Sequence, residues 1–413
     1  MDLNSHRRAR RMPRPREVRA AAALAALLGA SHASAFFDDR LQVFVGESLT
    51  HESNLFRLSD GAPGVSDKGD TYHATTVGFN LDTPVSRQRF QVGADWSQVR
   101  YNRYSSLDHT EHNGRLNWLW QGGDQWSGNL GYTESKTLAS FLNFTGSTAP
   151  DPLRTQILSG SANYLLTPRW QLQAIGSEMH QRNELSVRQS QDIDLSSLQL
   201  GVNYLSPAGN SVGVDVRQDD GRYPNSLTLN GSPFSNNYVQ RSVGALTNWA
   251  VTGKSHLSGR IDYLRREYDQ VSSRDYSGGT FRLSYDWLAT AKTSLNVVAQ
   301  RDISPTEDLQ TTFVLVKGVS VTPSYAFSDK LRFSASLSAN QRDYLGDPGI
   351  AVGGGNLFAG RVDHLTTGMV SATYQPLRSL TLLLSAQHER RTSNISGLDY
   401  SANIINLNAR LTF

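Results

Sequence analysis

The 413-residue chain contains no cysteine and only four methionines. The lack of cysteine excludes disulfides, thiolate metal sites, cysteine nucleophiles and lipoprotein acylation. Long apolar runs are also missing. A membrane-spanning helix needs about 20 consecutive apolar residues, and no such run occurs in a sequence that is 38% hydrophobic. Helical transporters and channels are therefore excluded. Charge is sparse as well, at 19% of residues with a formal net of +3. A basic excess would suit a nucleic-acid partner, so its location matters.

The excess sits at the start. Arg7, Arg8, Arg10, Arg11, Arg14, Arg16 and Arg19 precede a short apolar stretch, Ala20 to Ala30, and then Ala33-Ser34-Ala35. A cationic head, a short apolar segment and small residues at a cleavage site make a secretory signal peptide. The expectation is a signal peptide over 1–35, cut after Ala35, and a single domain over 36–413. A basic amphipathic helix of the mature chain is the competing reading. Cleavage would remove seven arginines and two acids, Asp2 and Glu17, from the 40 basic and 37 acidic side chains, leaving a formal −2. No nucleic-acid partner is then expected.

From Phe36 onward the recurring pattern has a period of two. Phe90, Val92, Ala94 and Trp96 alternate with Gln91, Gly93, Asp95 and Ser97, and Leu198 to Tyr204, Phe281 to Trp287 and Leu331 to Leu337 repeat it. Successive strand residues point to opposite faces, so each segment has one apolar and one polar face. The segments run about 9 to 13 residues, the length of a tilted membrane-spanning strand. Short links near 83–84, 122–124, 167–169, 207–210, 253–254, 291–292, 328–330 and 375–378 hold turn residues. They alternate with longer polar loops near 52–71, 103–110, 138–154, 183–193, 219–237, 269–275, 302–308, 344–359 and 391–399. The count predicts an all-β, antiparallel, up-and-down transmembrane barrel of about 18 strands, with 16 as the alternative. Short periplasmic turns and longer extracellular loops would follow.

Trp118, Trp120, Trp126, Trp170, Trp249 and Trp287 all lie close to short links on the apolar parity. They are expected to form an aromatic girdle at the periplasmic interface with outer-membrane lipid. The chain ends on an amphipathic strand closing with Phe413, which resembles the signal read by the barrel-assembly machinery.

The segment FFDDRLQVFVGESLTHESNLFRLSD (36–60), with its element Asn54-Leu55-Phe56-Arg57, resembles the N-terminus of EpsL-type exopolysaccharide-biosynthesis outer-membrane proteins. The stretch 78–121 is also similar, through Ser86-Arg87-Gln88-Arg89-Phe90, Tyr101, Tyr104, Leu107-Asp108 and Leu116 to Trp120. The likeness covers roughly the first third of the mature chain. It implies a barrel of polysaccharide-export systems, often PEP-CTERM/exosortase systems, with exopolysaccharide and periplasmic or inner-membrane export proteins as partners. It implies no catalytic residues and no cofactor. A porin, a non-conducting structural barrel and an outer-membrane hydrolase are the alternatives.

The polar parity carries Arg89, Arg115, Arg217, Arg260, Arg282, Arg332 and Arg410 against Asp95, Asp215, Asp262 and Asp286. If these face the lumen, they either favour an acidic glycan or pair across strands and stiffen the wall. Tyr101, Tyr104, Phe141, Phe144, Tyr223, Phe234, Tyr238, Tyr344 and Phe358 lie near the long loops. They could stack on sugar rings, or form an outer girdle at the headgroups, the favoured reading. Enzyme signals are weak. Gly46-Glu47-Ser48-Leu49-Thr50 lacks the second glycine of a nucleophile elbow, and Gly353-Gly354-Gly355 has no helix behind it to bind phosphate. His109 and His112 are wrongly spaced for one metal. No metal or cofactor is expected.

Overall fold

In the computed structural model, which describes residues 40–62, 65, 67–143, 148–225, 227–229, 232–270, 272–305, 313–345 and 360–413, the period-two segments become long strands. The expected signal peptide lies outside the described residues. The first strands are β1 (Leu41–Glu52), β2 (Asp70–Val85), β3 (Gln88–Tyr101), β4 (His109–Gly122), β5 (Trp126–Leu138), β6 (Pro152–Thr167), β7 (Trp170–Asn183), β8 (Ile193–Leu205) and β9 (Ser211–Arg222). A small ribbon of β10 (Leu227–Leu229) and β11 (Ser232–Phe234) interrupts the wall. The wall resumes with β12 (Tyr238–Thr252), β13 (Ser255–Tyr268), β14 (Tyr276–Leu288), β15 (Thr293–Pro305) and β16 (Phe313–Ala326). It ends with β17 (Leu331–Leu345), β18 (Val362–Leu377), β19 (Leu380–Ser393) and β20 (Tyr400–Thr412).

Eighteen of these form one antiparallel sheet, each strand paired with its sequence neighbours and β9 with β12. The last strand returns to the first: β20 pairs with β1 from Phe44↔Thr412 to Glu52↔Ile404, and the Phe413 amide donates to the Val43 carbonyl at 2.8 Å. Closure leaves no free edge at the β1–β20 seam, where lipid could not satisfy unpaired backbone groups. Among the described residues the only helices are short 3₁₀ turns in the loops.

The register separates two faces. One carries exposed apolar side chains such as Leu158, Leu200, Val214, Ile261, Leu337 and Leu407. On the other, side chains of non-neighbouring strands meet: Arg260 of β13 reaches Gln199 of β8 at 3.3 Å. That is possible only on the concave side of a closed sheet, so the polar face is the lumen.

Eight short turns and nine long connections alternate, as expected, with details that differ. The strands run 12 to 16 residues, longer than expected, and β15 continues through 302–305 where a loop was expected. The first turn falls at Ser86-Arg87, with Ser86 at φ 56°, because β2 runs on through Thr83-Pro84. Proline is tolerated there because β1 stops opposite Leu81 and the last amide bond to that side is Asp82 to the Arg40 carbonyl. Past that point no acceptor waits for the missing N–H.

Candidate functional site

The lumen is the candidate site, and its two ends differ. At the turn end the wall is lined by polar side chains around a recess of about 640 Å³, with Gln42, Asn80, Gln91, Arg115, Asn117 and Asn129 on it. Arg115 donates to Asn80 at 2.6 Å, Arg89 holds Asp82 through paired bonds of 2.7 Å, and Arg282 donates to Gln300 at 2.6 Å. Arg410 lies over the Phe44 ring at 3.6 Å.

Midway along β9, β12 and β13 a buried charge network forms. Arg260 grips Asp262 with bonds of 2.8 and 2.5 Å and reaches Asp215 at 3.2 Å. Arg217 donates to Asp219 at 2.7 Å, and Asp219 also accepts from Ser197 and Gln240. Gln240 in turn accepts from Arg266, whose guanidinium stacks on Tyr238 at 4.1 Å. The backbone makes room at Gly244, where a Cβ would overlap the Asp262 carboxylate.

All seven expected arginines and four expected aspartates share this inner face with Glu52, Asp70, Asp82, Glu111, Asp219, Asp302, Asp363 and Glu389. Of the further arginines, Arg266, Arg342 and Arg391 join them. The face is near charge balance, so the arginine excess counted from sequence does not describe it. Those acids escaped notice because they sit near loop ends, where strand limits are hardest to read.

The long-loop end is filled. In the β1–β2 loop Asn54 bonds Leu58 and the Ser401 carbonyl, and Leu55 and Phe56 are buried. Arg57 pairs with Glu52 of β1 and, at 2.9 Å, with Glu389 of β19. The Asn54-Leu55-Phe56-Arg57 element is thus the anchor that folds this loop into the mouth. The Phe56 ring meets Tyr104 at 4.8 Å and Phe141 at 5.0 Å. From the β5–β6 loop, Leu142 packs against Leu365, Tyr400 and Ala402, and its carbonyl accepts from Arg391 at 2.6 Å. This loop therefore crosses the mouth from β5 to β19. At its foot, Asp151 accepts from the Leu185 amide and lies 3.3 Å from Arg188, and burial pushes its carboxyl up.

The β15–β16 hairpin fills the other side. β14 pairs with β15 only from Phe281↔Arg301 downward, while β15 continues to Pro305 against β16 alone. Above the split, Ile303, Phe313 and Leu315 pack on Tyr238, Leu264 and Tyr268 of the inner face, and on Ile193 of β8. The described upper end of the β15–β16 pair, at Ile303 and Phe313 to Leu315, leans over the lumen. Phe313-Val314-Leu315 signals this in the sequence, because three successive buried apolar residues break the alternation.

The loop aromatics are corrected accordingly. Tyr101, Tyr104, Phe141, Tyr223, Tyr238 and Tyr344 pack in these inner cores or, for Tyr344, beneath Arg361 at 4.0 Å. They form no outer girdle. Phe144 and Phe358, and the Phe234 side chain, lie outside the described residues. The six tryptophans stand on the outward face at the turn rim; Trp118, Trp126, Trp170, Trp249 and Trp287 are exposed, and the Trp120 ring lies over Gly128.

His109 and His112 do not converge. Three residues apart on a strand, they face opposite sides, His109 bonding Glu111 and His112 lying 3.4 Å from Glu134. Among the described residues no acidic and histidine cluster could hold a metal. Changing both histidines to Ala is expected to leave transport and folding intact. A complete loss of transport with a folded barrel would reopen the metal reading.

The family described as Putative beta-barrel porin 2 matches residues 188–413, more than half of the chain. The chain belongs to this family. As a porin-family barrel with a closed polar lumen and an apolar outer belt, it resides in the bacterial outer membrane. Among solved structures it is similar to Pseudomonas aeruginosa OccK9 (OpdG), at 12% identity and TM-score 0.48, covering 92% of this chain and 100% of that one. It is also similar to the Pseudomonas aeruginosa outer membrane protein opdK, at 10% identity and TM-score 0.48, over 91% and 100% of the two chains. Acinetobacter baumannii OccAB3 is similar at 10% identity and TM-score 0.46, over 91% and 99%. No curated protein matches the sequence.

Proposed function

We propose that this porin-family barrel is a gated, passive conduit for a hydrated polar molecule, and that its cargo is a secreted exopolysaccharide. The conduit reading rests on one observation, the contrast along the barrel axis. The turn half is polar and recessed, whereas the outer mouth carries apolar cores made of loops and the upper end of the β15–β16 pair. Such cores can detach without opening the closed sheet. The cargo is supported by the N-terminal resemblance, whose Asn54-Leu55-Phe56-Arg57 element is the anchor of one of those loops. Export proteins of the periplasm and inner membrane would deliver polymer at the turn rim and supply the energy. The Trp118 to Trp287 girdle would fix the depth of that rim, and Phe413 would serve assembly. No catalytic step is assigned to the barrel.

The family description favours a second reading, a solute-selective porin. Deleting the gene and measuring surface polysaccharide separates the two, alongside planar-bilayer recording of the purified barrel. Export predicts loss of most surface polysaccharide in the deletant. Normal secretion with a solute-dependent current would establish the porin instead.

A further inference from the structure

The outward wall carries one arrangement that the lumen does not explain. Arg241 of β12 and Arg265 of β13 are direct cross-strand partners on the lipid-facing parity. Their side chains are 65% and 67% exposed, and they share a single carboxylate, Glu267, at 3.5 and 2.7 Å. Among the described residues Arg241 otherwise reaches the neutral Gln218 at 3.2 Å, and Asp220 bonds that same glutamine. Like charges placed directly opposite on paired strands repel, and a lipid-facing arginine is costly away from the interfaces. Such a pair calls for an anion.

The surroundings say which kind. Each arginine lies one turn of the ladder from the long-loop end of its strand, the end that faces outward from the cell. Beneath them an open furrow of about 470 Å³ runs between Leu198, Leu200, Val216, Val243 and Tyr263. Leu200, Val216 and Val243 are shared with a second furrow of about 590 Å³ that descends past Leu172, Val202 and Val214. Ala162 and Ala174 form part of its lining. A paired cation above a continuous apolar furrow matches a phosphate joined to an acyl chain.

We propose that this face binds the phosphorylated glycolipid of the outer leaflet, its phosphate between Arg241 and Arg265 and an acyl chain in the furrow. This is independent of what crosses the lumen.

The test uses the full barrel, purified in detergent and stripped of lipid. It is titrated with purified lipid A, with dephosphorylated lipid A and with inorganic phosphate. Bound lipid is counted by native mass spectrometry, and stability is read as the temperature at which unboiled migration on a gel is lost. Lipid A should bind and raise that temperature, and the double variant Arg241→Gln, Arg265→Gln should bind it about tenfold more weakly or worse, as two phosphate contacts imply. Equal binding by the double variant would overturn the proposal. So would equal stabilisation by the dephosphorylated lipid, or a full shift from inorganic phosphate alone. In lipid-free detergent the double variant should be at least as heat-resistant as the wild type, since a repulsive pair is gone. Marked instability there would mean the pair is satisfied within the protein, and would also overturn it.

Discussion

Replacing Phe56 with Ala is expected to turn a mostly closed barrel into one that conducts much of the time. Phe56 is 1% exposed and packs edge-on against Tyr104 and Phe141. Truncating a buried phenylalanine costs about 3–5 kcal/mol. Here the cost falls on the closed mouth, because Phe56 joins loops to one another and no strand pairing passes through it. Each 1.4 kcal/mol is about a tenfold change in an equilibrium, so the ratio of open to closed mouths should rise by about two to three orders of magnitude if the loop core does not re-form. Single-channel recording in planar bilayers reads that ratio directly. An unchanged open probability, in a variant that still migrates as a folded barrel, would remove the loop core from gating.

Arg57 and Arg391 set how far that opening spreads. Arg57 ties the first loop to β1 and β19, and Arg391 ties the crossing loop to β19. Both anchors converge on the same strand, so a loop freed at Phe56 remains tethered near β19. Opening should therefore begin on the side of Tyr104 and Phe141, away from Ile303, Phe313 and Leu315, which pack against β8, β12 and β13.

The wall was legible because lipid and water impose period two on every strand. Trp118 and Leu200 announce their face to anyone who counts by twos, and Gly253-Lys254 marks its turn without help from the fold. The contents of the mouth were not legible in the same way. Tyr238 and Trp249 lie on the same strand with opposite parity, so alternation separates their faces, but local sequence cannot say that Tyr238 stacks on Arg266 and joins a core with Ile303, Phe313 and Leu315. That packing depends on the β15–β16 pair leaving the wall above Arg301. The charge network was half legible. Parity put Arg260, Asp262 and Asp215 on one face, but their meeting needs β9, β12 and β13 in register, across a connection that holds a separate ribbon. Strand pairing is non-local information, and alternation carries none of it.

That register makes Arg260 a sensitive charged position in the barrel. Arg260→Met is expected to destabilise the fold by about 3–5 kcal/mol, the cost of leaving buried charge without its partner. Asp215 and Asp262 have side-chain exposures of 1% and 8%, and Arg260 is the cation that touches both. Gly244 of β12 lets the two carboxylates approach from the strands on either side of it, so without the guanidinium they would repel across the space above that glycine. Urea titration of the barrel in lipid vesicles, or the temperature at which unboiled migration is lost, measures the effect. Adding Asp215→Asn and Asp262→Asn to Arg260→Met should recover most of the stability, because a neutral set of similar size avoids the penalty that the unpaired charges carry. If the single variant proved as stable as the wild type, water would have to reach these aspartates, and the network would be part of an open aqueous lumen rather than a sealed wall.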